Sequence, residues 1–120
     1  ILVAEDDEVN RMTLGRFLEI LGYASTCVNN GQQALEALRE NSFSCILMDV
    51  QMPVMNGLEA TRRIRMDQTL GPKKDIPVIA VTAHAMEGDK DRFLEQGMTG
   101  YLAKPLDLEE LKRVLAEVLA

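Results

Sequence analysis

Several residues in this chain could do chemistry together: the acids Glu5, Asp6 and Asp7, the isolated Asp49, the hydroxyl of Thr82, and the amine of Lys104, which precedes Pro105. Carboxylates from Glu5, Asp6 and Asp49 drawn close together would repel, raising some of their pKa values unless a cation joined them. Oxygen ligands with no cysteine and no usable histidine suit a hard ion. Few carboxylates with retained waters suit Mg²⁺ better than a full Ca²⁺ cage. Asp49 is the candidate nucleophile, because a carboxylate can attack phosphorus to give an aspartyl phosphate. Such a transfer depends on positioning and charge neutralisation, for which a cation on one side and the Lys104 ammonium on the other are suitable. Thr82 offers a donor to a phosphoryl oxygen. Taken singly, each has a plainer use, since acids cap helices, threonine is common in strands and a lysine near a turn is solvated. The joint placement is what carries weight.

That placement follows from the elements around them. Ile1 to Ala4 is an apolar run, followed by the acids and then by Leu14, Phe17, Leu18 and Leu21 at helical spacing, with Gly22 ending the helix. Ala24 to Val28 reads as a second strand, and Gln32 to Glu40 as a helix. Cys45 to Met48 reads as a third strand leading into Asp49, and Leu58 to Arg65 as another helix. The segment from Asp67 to Asp75, with Gly71 and Pro72, is a surface loop. Val78 to Val81 is a fourth strand, Glu87 to Glu95 a charged helix, and Gly100 to Ala103 a fifth strand. Leu108, Leu111, Leu115 and Val118 form the last amphipathic stripe. Apolar strands alternating with helices must be covered on both faces through right-handed parallel crossovers, which gives a doubly wound α/β sheet spanning residues 1–120 as one domain. In such sheets the ligand crevice lies beyond the carboxyl ends of the strands. Glu5, Asp6, Asp49, Thr82 and Lys104 all fall there.

Composition narrows the function classes. With 47% apolar and 27% charged residues in 120, the chain is an ordinary globular domain. Its longest apolar runs are far below the roughly 20 residues of a membrane span. No secretory pattern opens the chain, and the missing initial Met is expected of a domain cut from something longer. The net charge of −6, with scattered Lys and Arg, argues against direct binding of nucleic acid. Cys27 and Cys45, 18 positions apart, are expected to be buried reduced thiols. His84, a lone histidine, is given no chemical role.

The segments ILVAEDDEVNR, LMDVQMPVMNGLEATRRIR, VIAVTAHAM and GYLAKP resemble the receiver domains of two-component signalling, in order and across essentially the whole chain. The resemblance implies a flavodoxin-like five-stranded parallel sheet of order 2-1-3-4-5 with five helices. It implies Asp49 as phosphoacceptor, Asp6 as direct metal ligand, Glu5 acting largely through water, and the backbone carbonyl of Gln51 as a further ligand for Mg²⁺. Thr82 matches the hydroxyl switch residue, Lys104 the family lysine with a cis bond to Pro105, and Tyr101 the aromatic that follows phosphorylation. The surface made by the fourth helix, fifth strand and fifth helix, including Met86, Phe93 and Tyr101, is where a partner would read the state, and where a homodimer would form. VQMPVMNGLEATRRIR and TAHAM are most similar to receivers of hybrid sensor histidine kinases, which exchange phosphoryl groups with a histidine kinase domain or a histidine-phosphotransfer domain. A cytoplasmic location follows, free or as part of a membrane-anchored kinase, with no stand-alone enzyme beyond the domain's own phosphorylation and dephosphorylation.

Asp7, Asn56 and Thr99-Gly100 depart from the family's usual residues. Asp7 adds negative charge near the ion, or caps the next helix. Three rival readings fit the residues less well. An aspartyl-phosphate phosphatase would carry an acid where Gln51 stands. A flavin module would need a phosphate loop and more than 4% aromatics. A phosphorylation-independent interaction domain would not need the site residues at all.

Overall fold

The computed structural model describes residues 1–83 and 89–119. Within them β1 (Leu2–Ala4), α1 (Glu8–Ile20), β2 (Thr26–Val28), α2 (Gly31–Glu40), β3 (Ile46–Asp49), α3 (Gly57–Met66), β4 (Val78–Thr82), α4 (Asp89–Glu95), β5 (Gly100–Ala103) and α5 (Leu108–Leu119) follow in turn. The strands pair in parallel in the order β2-β1-β3-β4-β5, as the resemblance implies. His84, Met86 and the expected start of α4 at Glu87 lie outside the described residues. The loop expected at 67–75 winds into 3₁₀ turns from Gln68 to Asp75, kinked at Gly71 where φ is 59°.

Alternating residues of each central strand face opposite cores. Leu2, Ala4, Ile46, Met48, Val78 and Ala80 pack with Leu35, Leu38, Ala60, Ile64 and Phe93, beneath α2, α3 and α4. Val3, Leu47, Ile79 and Val81 pack with Leu14, Leu18, Leu111 and Leu115, beneath α1 and α5. Both sides being apolar is why these strands read as unbroken hydrophobic runs. Edge strand β2 is the exception. Cys27 is exposed, contrary to the expectation for both thiols, because an edge strand has a neighbour on one side only, whereas Cys45 is fully buried.

Helix ends place the loops that carry the site. Asp7 is the N-cap of α1, its side chain accepting from the Asn10 N–H, so the plainer of its two readings holds in this structure. Gly22, at φ 89°, closes α1: its N–H reaches the Glu19 carbonyl and the Tyr23 N–H reaches that of Leu18. Asn56 caps α3 by accepting from the Glu59 N–H. No helix among the described residues is long and apolar enough to cross a membrane.

Candidate functional site

Parallel pairing aligns the strand ends at one edge. Asp49 is itself the last residue of β3 and lies level with Val81 in β4, while Thr82, also a strand residue, lies level with Ala103 in β5. Lys104 follows at once, its backbone N–H donating to the Thr82 carbonyl at 2.8 Å, and the Lys104–Pro105 bond is cis. From β1, next to β3, come Glu5 and Asp6. Glu5, Asp6, Asp7, Asp49, Gln51, Thr82 and Lys104 therefore line one cleft of about 180 Å³, together with Asn10 and Ala83.

Carboxylate oxygens of Glu5, Asp6 and Asp49 lie within 4.8 Å of one another. Glu5 and Asp49 are buried and Asp6 is exposed. The Lys104 ammonium stands 3.3 Å from Asp49 Oδ2 and 3.5 Å from Glu5 Oε2. Asp49 Oδ1 accepts from the Gln51 N–H at 3.1 Å, and Glu5 Oε1 accepts from the Asp7 N–H at 3.2 Å. Glu5 Oε2, although near Lys104, is buried without a hydrogen-bond donor among the described residues. Burial pushes the Glu5 carboxyl up to about 7, reinforced by hydrogen bonding to Asp49 and by its charge, with Lys104 and the Asp7 N–H pulling it back. Burial also works against the Lys104 ammonium, yet the charges of Asp49 and Glu5 outweigh it and hold its pKa above the ordinary lysine value.

One lysine thus serves converging carboxylates, and the cluster has more acceptor oxygens than donors. The site residues fit a hard divalent cation: the donors are carboxylate oxygens, and a buried oxygen of Glu5 has no donor of its own. Asp6 is the exposed member of that cluster.

Tyr101 stands apart from this cleft, half-buried in β5 with its ring 6.5 Å from that of Phe93. Phe93 is only 3% exposed, so the expectation that it belongs to a partner-reading surface is corrected: its helical position turns it into the core, and Leu94 is the exposed apolar residue of α4. Sequence reasoning also passed over contributors that act through the backbone. The Arg11 guanidinium donates to the carbonyls of Glu5 and Asp6. Gly57 lets α3 approach so closely that a Cβ there would overlap the Asp49 carbonyl oxygen. Arg11 lies four residues beyond the N-cap Asp7, a helical spacing that would have pointed it back at the acidic loop. Gly57 carried no comparable signal.

Comparison with known proteins agrees with this geometry. The family described as response regulator receiver domain matches residues 1–116. The chain is 42% identical over 120 residues to hybrid signal transduction histidine kinase I of Dictyostelium discoideum, covering 96% of this chain but 7% of that protein. It is 37% identical over 121 residues to the polar-differentiation response regulator DivK of Brucella anthropi, covering 98% of this chain and 96% of that one. Among solved structures, the receiver domain of sensor histidine kinase PA1611 from Pseudomonas aeruginosa PAO1, with a magnesium ion in its active site cleft, superposes with a TM-score of 0.87 at 39% identity over 98% of this chain and 94% of that chain. The receiver domain of Saccharomyces cerevisiae Ssk1, crystallised with the histidine phosphotransfer protein Ypd1, matches at 0.87 and 32% identity over 98% of this chain and 86% of that chain. With this family match over nearly its full length, the chain belongs to the response regulator receiver domains of two-component signalling.

Proposed function

We propose that this receiver takes a phosphoryl group onto Asp49 from a phosphohistidine, in a reaction that depends on Mg²⁺. The observation that carries the reading is the convergence of Glu5, Asp6 and Asp49 on one side with Lys104 on the other. An Asp49 carboxylate oxygen forms the new P–O bond as the P–N bond of the donor breaks, and the imidazole leaves with the electron pair. The Gln51 N–H on Oδ1 and the Lys104 ammonium near Oδ2 fix the carboxylate's orientation. Bound Mg²⁺ would neutralise charge on the transferring oxygens, held by Asp6, Asp49 and the Gln51 carbonyl, with Glu5 acting through water.

The new charge on Asp49 then draws on Lys104 and on the Thr82 hydroxyl, which ends the neighbouring strand. Movement of the segment after β4 opens space for Tyr101, and the change is read on the face of α4, β5 and α5. That face is also where a homodimer would form. The donor is a histidine kinase domain or a histidine-phosphotransfer domain, by analogy with the yeast complex. We place the domain in the cytoplasm, with no direct contact to nucleic acid or membrane and no stand-alone enzymatic turnover. All 120 residues serve as one receiver, part of a hybrid kinase or a separate regulator.

Intact mass after incubation with Mg²⁺ and a small phosphodonor tests the acceptor. One phosphoryl group should appear on the native chain, none on Asp49→Asn, and none with chelator present. An adduct on Asp49→Asn, or one indifferent to chelator, would sink the reading.

A further inference from the structure

We propose that Arg11 is a positioning residue for the cation site, acting through the backbone of the acidic loop; this rests on the Mg²⁺ reading above. Its Nη1 donates to the Glu5 carbonyl at 3.1 Å and to the Asp6 carbonyl at 3.0 Å. Its own N–H donates to the Asp7 carbonyl at 2.9 Å. One residue of α1 therefore holds three consecutive carbonyls of the segment that presents the carboxylates. The exposed side chain of Asp6 is not aimed by packing, so the backbone of the loop sets its direction.

Glu5, Asp6 and Asp49 bring carboxylate oxygens within 4.8 Å of one another, and the guanidinium holds the backbone of the loop that carries the first two. Both bonds leave one nitrogen, Nη1, whose N–H directions are fixed in the guanidinium plane, whereas the N–H groups of a lysine ammonium rotate freely about its last carbon–nitrogen bond. The same positive charge also repels a divalent cation. The two effects have opposite signs in a binding measurement, which makes the proposal decidable: loss of positioning weakens Mg²⁺ binding, whereas loss of charge alone strengthens it.

Calorimetric Mg²⁺ titration of the full chain, compared with Arg11→Ala and Arg11→Lys, provides the test, with circular dichroism and thermal melts as fold controls. Arg11→Ala should raise the Kd for Mg²⁺ about tenfold, the lower end of what losing a residue behind a metal ligand costs. Arg11→Lys should fall between it and the native chain. In phosphodonor assays the half-saturating Mg²⁺ concentration should rise while the rate at saturation returns to the native value. An unchanged or lower Kd in both variants, or a change in melting temperature without one in Kd, overturns the proposal while leaving the Mg²⁺ reading intact. Should Arg11→Ala not fold, Arg11→Lys decides alone: a raised Kd supports positioning, an unchanged one overturns it. Failure of the native chain to bind Mg²⁺ overturns both.

Discussion

The ammonium of Lys104 lies 3.3 Å from Asp49 Oδ2, while its backbone N–H is tied to the Thr82 carbonyl at 2.8 Å. The side chain that neutralises the strand-end aspartate is thus anchored, through its own backbone, to the end of β4. Lysine also faces Glu5 at 3.5 Å, so one cation balances two buried acids.

Removing the cation should destabilise the metal-free fold. Lys104→Ala leaves Asp49 and Glu5 facing each other with no counter-charge, and the ammonium it removes is about one-fifth exposed, with side-chain accessibility of 21%. A loss of about 1–3 kcal/mol is expected, less than for a fully buried pair. Urea titration in chelator should show it, and added Mg²⁺ should recover part of it. Equal stability in chelator would refute a neutralising role.

Glu5 should make metal-free stability fall as pH rises through 7. Its folded pKa, about 7, lies above the ordinary value of 4.5, so its contribution is fully present below 4.5 and is lost as the carboxyl ionises through 7. The loss is at most about 3 kcal/mol by linkage. Glu59 and Asp67, held low by arginines and by Thr69 respectively, act in the opposite sense and at more acidic pH. Denaturant midpoints between pH 5 and 8 should slope downward for the native chain, flatten in Glu5→Gln, and flatten with Mg²⁺ present. A native profile that is flat without metal contradicts the assignment.

Why some of this was legible and some was not follows from the fold. Strand runs such as Val78 to Val81 and the residues just after them were readable because a parallel sheet gathers its strand ends at one edge, and Asp49, Thr82 and Lys104 were found in that way. The expectation for Cys27 rested on the usual burial of free cysteine, and it fails because β2 is the edge strand of the 2-1-3-4-5 order and leaves its residues open on one side. Phe93 was misplaced because a single aromatic in a charged helix does not reveal which face is covered. Arg11 and Gly57 act on carbonyl oxygens, a partner that neither residue type announces; the helical spacing of Arg11 from Asp7 is the one signal, and it gives direction without naming the contact.

The two thiols should differ sharply toward an aromatic disulfide reagent. Cys27 is exposed on β2, whereas Cys45 is fully buried and its thiol is pushed up to about 11 by burial, with the N-terminal charge pulling slightly the other way. One equivalent should react in the native state and a second only after unfolding. Cys27→Ser should abolish the fast phase. Two fast equivalents would mean that Cys45 is reached by local opening.

Gly57→Ala should damage both stability and the site. A Cβ at this position overlaps the Asp49 carbonyl oxygen and comes 2.9 Å from Met48 Cγ, and the Gly57 N–H already holds the Val50 carbonyl at 3.0 Å, so neither α3 nor β3 can yield without loss. Overpacking of this kind costs about 1–3 kcal/mol, against which the better helix propensity of alanine returns less than one. Gly31→Ala is the useful comparison. Its Cβ would press on the Met55 carbonyl oxygen at 2.7 Å and on Ala60 Cβ of α3 at 2.8 Å, with no atom of Asp49 among its nearest neighbours, so it should cost stability without a direct clash at Asp49. If both variants lose stability but only Gly57→Ala also loses Mg²⁺ affinity and phosphorylation rate, the close approach of α3 sets the orientation of Asp49. Equal effects on metal binding from both would reduce Gly57 to a packing residue.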